Sequence, residues 1–93
     1  MSADLVFLHT SPVHVPTFSA LLEQAAPQLR AVHLVDEALL SQARRIGAAH
    51  PDVRRDVQSA VRAAAASTGA PLVVCTCSTV GGAAEATPTG GAF

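Results

Sequence analysis

The chain has 93 residues, of which 49% are hydrophobic and 3% aromatic, and its formal charge at pH 7 is −1. This length predicts a single domain with a modest core. The arginines of the predicted helices, Arg44 among them, are interleaved with aspartates and are expected on solvated helix faces, which argues against a nucleic-acid partner. No apolar run approaches the roughly 20 residues that span a bilayer, and no basic region precedes the first apolar run. We therefore expect a cytoplasmic protein with no membrane partner.

The first part of the chain alternates short β-rich runs with a helical pattern. Residues 4–9 predict a strand that ends at the polar loop Thr10-Ser11-Pro12. A helix is predicted next, and Pro27 should end it near residue 26. Residues 31–35 predict the second strand. The apolar residues of the helix, at helical spacing, are Phe18, Leu21, Leu22, Ala25 and Leu29.

The second part of the chain predicts two helices and a third strand. Asp36 is a natural N-cap for a helix that stops at Gly47, and Pro51 opens a longer helix that stops at Gly69. Residues 72–76 predict the third strand, which opens with a continuous apolar run, typical of a strand buried on both faces. The apolar stripes of the two helices are Leu39, Leu40, Ala43 and Ile46, then Val53, Val57, Ala60, Val61 and Ala64.

The order of these elements, β-α-β-α-α-β, predicts a three-layer α/β fold. Its sheet should be parallel and flavodoxin-like or Rossmann-like, with right-handed crossovers. Residues 1–86 are assigned to this domain, and residues 87–93, rich in Gly, Pro and Thr, are expected to be a flexible tail without a regular element. Three parallel strands leave a sheet edge unpaired, so we expect either a homo-oligomer or a missing carboxyl-terminal lobe.

The candidate site follows the third strand, where the sequence reads Cys77-Ser78-Thr79-Val80-Gly81-Gly82 before a predicted helix at 83–85. Free backbone N–H groups at the start of that helix favour a thiolate and can hold a substrate carboxylate. Ligands of open α/β sheets bind at the carboxyl ends of the strands, so Thr10 and Ser11 should converge there on Cys77, Ser78 and Thr79. The alternative for Cys77 is a small hydrophobic residue in the core.

The other cysteine and the histidines are weighed as structural residues or metal ligands. Cys75 is expected in the core, and its Cα should lie about 6.6 Å from that of Cys77, at the far limit for a disulfide, so reduced thiols are favoured. The four histidines lack the spacing of a zinc site, so no metal is expected. His14 is kept as a candidate substrate-binding residue because it lies in the loop beside Thr10 and Ser11.

The segment Cys77-Ser78-Thr79 resembles the Cys-Asn-Thr motif of the aspartate/glutamate racemase superfamily, with Ser in place of Asn. Segments 9–14 and 33–37 also resemble members, so the similarity spans most of residues 4–86 and covers only the first of the family's two lobes. The resemblance implies cofactor-independent proton transfer at the α-carbon of a small carboxylic or amino acid, with Cys77 as the thiolate base. The substrate would be held by Thr10, Ser11, Ser78, Thr79 and His14.

The resemblance also leaves the exact chemistry open. The classical racemases take a second catalytic Cys from the other lobe, which this chain lacks, and related members decarboxylate or isomerise small diacids. The alternative from a different class is a truncated, non-catalytic lobe that acts only as a structural or interaction module.

Overall fold

A computed structural model describes residues 3–77 and 91–92. The elements are β1 (Leu5–His9), α1 (His14–Ala25), β2 (Ala31–Val35), α2 (Glu37–Ile46), α3 (Pro51–Thr68), β3 (Leu72–Cys75) and β4 (Gly91–Ala92). The predicted α/β class and the order β-α-β-α-α-β up to β3 are confirmed. Within the described residues, no helix is long and apolar enough to cross a membrane.

The strands form one parallel sheet in the order β2-β1-β3-β4. β1 lies between two neighbours, with Leu5 aligned to Ala31 on one side and to Leu72 on the other, and all five of its residues are buried. The chain leaves β1 toward β2 and then crosses back over β1 to reach β3. The direction of connection therefore reverses between β1 and β3, and such a switch point opens a crevice at the carboxyl ends of the strands.

The main core lies between one face of the sheet and helices α2 and α3. Val6, Leu8 and Val73 on the strands belong to one cluster with the apolar stripe of α3. Each fully buried valine contributes roughly 1.5–3 kcal/mol to stability, so this stripe fixes α3 on the sheet. The predicted α3 stripe is confirmed, whereas Ile46 of α2 is 37% exposed because it is the last residue of its helix. The buried side chains of α3 are Val53, Val57, Val61 and Ala64.

Helix α1 lies on the opposite face of the sheet, which gives the predicted three layers. None of its side chains is fully buried, and its main contact is the ring of Phe18, 5.6 Å from that of Phe7 between centroids. The predicted apolar stripe is therefore confirmed for Phe18 and Leu22, which are half-buried. It is wrong for Leu21, which is 53% exposed, for Ala25, which is exposed, and for Leu29, which lies beyond the end of the helix and is 40% exposed. The helix ends at Ala25, as the nearby Pro27 predicts.

The residues predicted to begin and end α2 and α3 lie at the ends of these helices, but they do not all act as expected. Asp36 is the N-cap residue of α2, but its side chain makes no capping hydrogen bond, so the predicted capping interaction is wrong. Pro51 is the first residue of α3, and Gly69 ends that helix with φ = 68°. This left-handed conformation favours glycine because a Cβ would be strained there.

The short strand β4 was not predicted. Gly91 aligns with Leu72 and Ala92 with Val73, in a parallel pairing on the side of β3 away from β1. The expectation that residues 87–93 contain no regular element is wrong at these two residues, because the outer backbone groups of β3 offer hydrogen-bond partners. Gly81, Gly82 and the predicted helix at 83–85 lie outside the described residues.

Candidate functional site

A cavity of about 550 Å³ opens at the carboxyl end of β1, between the β1–α1 loop and helix α2. Three predicted site residues, Thr10, Ser11 and His14, contribute to its wall. They meet there because Thr10 directly follows β1 and His14 begins α1. The opposite wall is the exposed side of α2. We call this space the β1–α2 cavity; its lining residues are Thr10, Ser11, His14, Glu37, Leu40, Ser41 and Arg44.

Sequence analysis missed the residues that α2 contributes to this cavity, among which Arg44 carries the positive charge. Glu37, Leu40, Ser41 and Arg44 recur at spacings of three and four residues and therefore share one face of α2. The sequence interpretation assigned Arg44 to a solvated helix face, because a single helix does not reveal what lies opposite it. Within the part of the chain that the structure describes, Arg44 forms no ion pair. Its guanidinium group is therefore available to a carboxylate, which such a group binds through two parallel hydrogen bonds.

The hydroxyl groups of the β1–α2 cavity are partly committed to the loop itself. Oγ of Ser11 accepts a hydrogen bond from the backbone N–H of Val13 at 3.4 Å, the usual role of a hydroxyl after a strand. Thr10 is 3% exposed, so its side chain forms part of the cavity's base. Both residues lie directly after β1, at the carboxyl end of the central strand, and the structure adds a structural role for Ser11.

Cys77 lies just beyond β3 and is buried. It is 8% exposed and belongs to the core cluster that also contains Leu8 and Cys75. It is not among the described residues that line the β1–α2 cavity. This location is the one that the alternative interpretation, a small hydrophobic residue, predicts for Cys77. Ser78 and Thr79, the other predicted substrate-binding residues, lie outside the described residues.

Cys75 occupies the core, as predicted. Its Sγ donates a weak hydrogen bond to the backbone carbonyl of Cys77 at 3.8 Å. Burial raises the pKa of the Cys75 thiol, an effect that the hydrogen bond only partly offsets. Cys75 is therefore a protonated core thiol at neutral pH.

A histidine network on the other face of the sheet is the second feature that sequence analysis missed. His9 is fully buried, with its Nδ1 2.7 Å from Oγ1 of Thr76 and its Nε2 2.9 Å from Nδ1 of His33. The two imidazole rings stack with centroids 5.2 Å apart, and His33 also stacks on Phe7 at 4.8 Å. The signal available in the sequence was the alternation that puts His9 on the same face as Phe7, whose register partner on β2 is His33.

The histidine network is uncharged at neutral pH. Burial lowers the pKa of His9, and the nearby His33 and His14 lower it further, while burial lowers the pKa of His33. Among residues 3–77 and 91–92, no group of three or more His, Cys, Asp or Glu side chains is placed to hold a metal ion. The arrangement instead satisfies the hydrogen bonds of a buried polar side chain.

A smaller cavity of about 230 Å³ lies beside this network, between α1 and β2. It is on the opposite face of the sheet from the core that contains Cys77. We call it the α1–β2 cavity; its lining residues are Ser19, Leu22, Glu23, Ala26, Pro27, Leu29, Ala31 and His33.

No family model, curated protein or solved structure matches this chain. The coordinates define a small parallel-sheet α/β protein with a polar cavity at the carboxyl end of its central strand. The resemblance to the aspartate/glutamate racemase superfamily stays a hypothesis that depends on the residues given in the sequence analysis.

Proposed function

We propose that this chain is a racemase-like lobe that binds a small carboxylic or amino acid in the β1–α2 cavity and moves a proton at its α-carbon with Cys77. The observation that carries the proposal is the lining of that cavity. Hydroxyl groups, an imidazole and a guanidinium group converge at the carboxyl end of the central strand, where ligands of open parallel sheets bind.

The charges of the cavity fit an amino acid better than a simple anion. Arg44 on one turn of α2 offers a partner for a carboxylate, and Glu37, two turns earlier on the same face, offers a partner for an ammonium group. A ligand that carries both charges satisfies both walls at once. A dicarboxylate without an amine would place one negative group near Glu37, so we expect aspartate or glutamate to bind more tightly than succinate.

The proposed chemistry requires a base and a returning acid. The thiolate of Cys77 would take the α-proton and become a thiol, which leaves an enolate-like carbanion next to the bound carboxylate. The Cys77 thiol, after exchange of its proton with solvent, then returns a proton to the carbon, which regenerates the thiolate, while His14 in the cavity wall holds the substrate. The register of Leu8 with Cys75 sets Thr10, which lines the cavity, beside Cys77 at neighbouring strand ends, and this proximity supports the role of the thiol as the base.

The burial of Cys77 favours a second candidate, the non-catalytic lobe. A thiol that is 8% exposed and packed with Leu8 and Cys75 contributes to the core whether or not it reacts. In this candidate the β1–α2 cavity still binds a carboxylate, and no proton transfer follows. The two candidates therefore agree on binding and differ on Cys77.

Proton transfer is tested by deuterium exchange. We expect the protein, incubated with L-aspartate or L-glutamate in deuterated water, to incorporate deuterium at the α-carbon, as followed by NMR. Cys77→Ala should abolish the exchange while it leaves binding of the amino acid unchanged. Binding without any exchange in the unsubstituted protein would contradict the catalytic proposal and support the non-catalytic lobe.

Amino-acid binding is also compared, by NMR, in a matched pair of arginine variants. Arg44→Gln should weaken amino-acid binding about tenfold or more, the loss expected for one charge-assisted hydrogen-bonded pair. Arg45→Gln is the control, since Arg45 is exposed on the same turn but is not among the residues that line the cavity. Equal effects of the two substitutions would place the ligand outside the β1–α2 cavity.

Thiol alkylation separates the two candidates without a substrate. The catalytic proposal predicts that iodoacetamide at pH 7 modifies Cys77 at least about tenfold faster than Cys75, whose burial raises its pKa, and that L-aspartate slows the reaction at Cys77 only. Mass spectrometry of the peptides measures both rates. If both cysteines react equally slowly in the folded protein and become reactive only after unfolding in urea, Cys77 is a structural residue.

A further inference from the structure

The α1–β2 cavity has a wall of different chemistry from the β1–α2 cavity. Glu23 is the one charged side chain among its described lining residues, and Ser19 and His33 are the polar ones. The remainder of the wall is apolar: Leu22, Ala26, Pro27, Leu29 and Ala31. We propose that this cavity is a second ligand site, which binds a small organic cation consisting of a primary ammonium group on a compact apolar body.

Glu23 supplies the negative charge of the proposed site. Its carboxylate makes no hydrogen bond or ion pair with any of residues 3–77 or 91–92, and it lies on α1, which also contributes Ser19 and Leu22 to the cavity wall. An ammonium group has three donors and needs oxygen or nitrogen acceptors around it. The carboxylate of Glu23 offers such acceptors at one side of the cavity.

The histidine network supplies a further acceptor at the other side. Nδ1 of His33 is taken up by His9, so Nε2 is the ring nitrogen of His33 that has no partner among the described residues. The network can run in either direction. When Nδ1–H of His9 donates to Thr76 and Nδ1–H of His33 donates to Nε2 of His9, Nε2 of His33 carries a lone pair.

In that direction His33, a residue of the cavity wall, has an acceptor at Nε2 while both ring nitrogens of the buried His9 stay paired. His33 is uncharged at neutral pH, since burial lowers its pKa, and it therefore does not repel a cation. An ammonium ligand would select this direction of the network, because the reverse direction points an N–H group at it. With an ammonium ligand bound, the hydrogen bond between His9 and Thr76 therefore runs from the His9 N–H group to the Thr76 hydroxyl.

The volume and the apolar wall of the α1–β2 cavity determine the apolar part of the ligand. A cavity of about 230 Å³ is larger than the roughly 150 Å³ that accommodates benzene in an engineered protein core. Leu29 is 40% exposed at its rim, and a bound apolar group would cover part of that surface. Benzylamine combines one aromatic ring with one ammonium group and is therefore a suitable probe.

The test is a titration of the full chain with benzylamine, followed by ¹H–¹⁵N NMR at neutral pH. We expect saturable shifts at Ser19, Glu23 and His33 and no shifts at Ser41 or Arg44. Glu23→Gln should raise the dissociation constant of benzylamine about fivefold or more, as loss of a charge-assisted contact does. Glu37→Gln, which removes the acidic group of the β1–α2 cavity, is the matched control and should leave benzylamine binding unchanged.

Neutral and anionic analogues of the probe decide what is recognised. Benzyl alcohol should bind more weakly than benzylamine, and benzoate should not bind at this cavity. The proposal is overturned if benzylamine causes no saturable shifts, if benzyl alcohol binds as tightly, or if Glu37→Gln weakens binding as much as Glu23→Gln. The proposal does not depend on the chemistry of Cys77, because the two cavities share no lining residue.

Discussion

Replacing His9 with alanine is expected to lower the free energy of unfolding by about 3 kcal/mol, the sum of a buried cavity and broken hydrogen bonds. The side chain is fully buried. Its removal leaves the hydroxyl of Thr76 and Nδ1 of His33 without their partner, and it empties the space beside Phe18, whose ring centroid lies 5.9 Å away. Urea denaturation followed by circular dichroism measures the change, which is a large fraction of the stability of a small domain.

His14 provides the control for this substitution. Its ring lies near the same cluster, with its centroid 6.4 Å from that of His9, but it is only half-buried and forms no hydrogen bond in the network. His14→Ala should therefore cost less than about 1 kcal/mol. If the two substitutions cost the same, the hydrogen bonds of His9 do not stabilise the fold.

The class and element order of this fold were predictable because they depend on local patterns. The period of apolar residues in α3 identified Val53, Val57 and Val61 as core positions, and the structure buries all three. Pro51 and Gly69 marked the ends of the helix correctly because their preferences are properties of the backbone. The face of α1 was predicted less well, since a helix that buries no residue completely gives a weak apolar period.

The candidate site was predictable only where its residues lie close together in the sequence. Thr10, Ser11 and His14 lie in one loop, so the rule that ligands bind at the carboxyl ends of parallel strands was sufficient to group them. The interaction between His9 and Thr76 joins residues 67 positions apart, and its geometry follows from strand register, which no local pattern reveals. Arg44 was missed for a similar reason, because its neighbour across the cavity comes from another element.

Cys77 shows how a correct location leaves the chemistry undecided. The sequence predicted that it follows the third strand, and it does. Its exposure, however, depends on how the sheet packs against α2 and α3, and the structure buries it with Leu8 and Cys75. The reactivity of a cysteine is set by access as well as by its pKa, and access depends on packing that the residues next to it do not reveal.

Acidification is expected to have the second large effect, a loss of stability as the pH falls below about 6.5. The pKa values of His9 and His33 are lowered by burial from their ordinary value of 6.5, so the unfolded chain binds more protons than the folded chain below that pH. The stabilisation is therefore complete above about pH 6.5 and is lost as the pH falls through the lowered pKa values of the folded state. The slope approaches roughly 1.4 kcal/mol per pH unit for each proton taken up on unfolding.

Urea midpoints measured between pH 7.5 and 5 test this expectation against a variant that lacks both titrating rings. His9→Phe combined with His33→Phe keeps the stacking on Phe7 and should flatten the decline, and a decline as steep as in the unsubstituted chain would contradict the assignment to these histidines. The shared hydrogen bond explains why the pair resists protonation. Nε2 of His9 and Nδ1 of His33 are 2.9 Å apart and hold one hydrogen between them, so charging both rings would set two N–H groups against each other. The network that pairs these buried rings at neutral pH is thus the group that lowers the stability of the protein in acid.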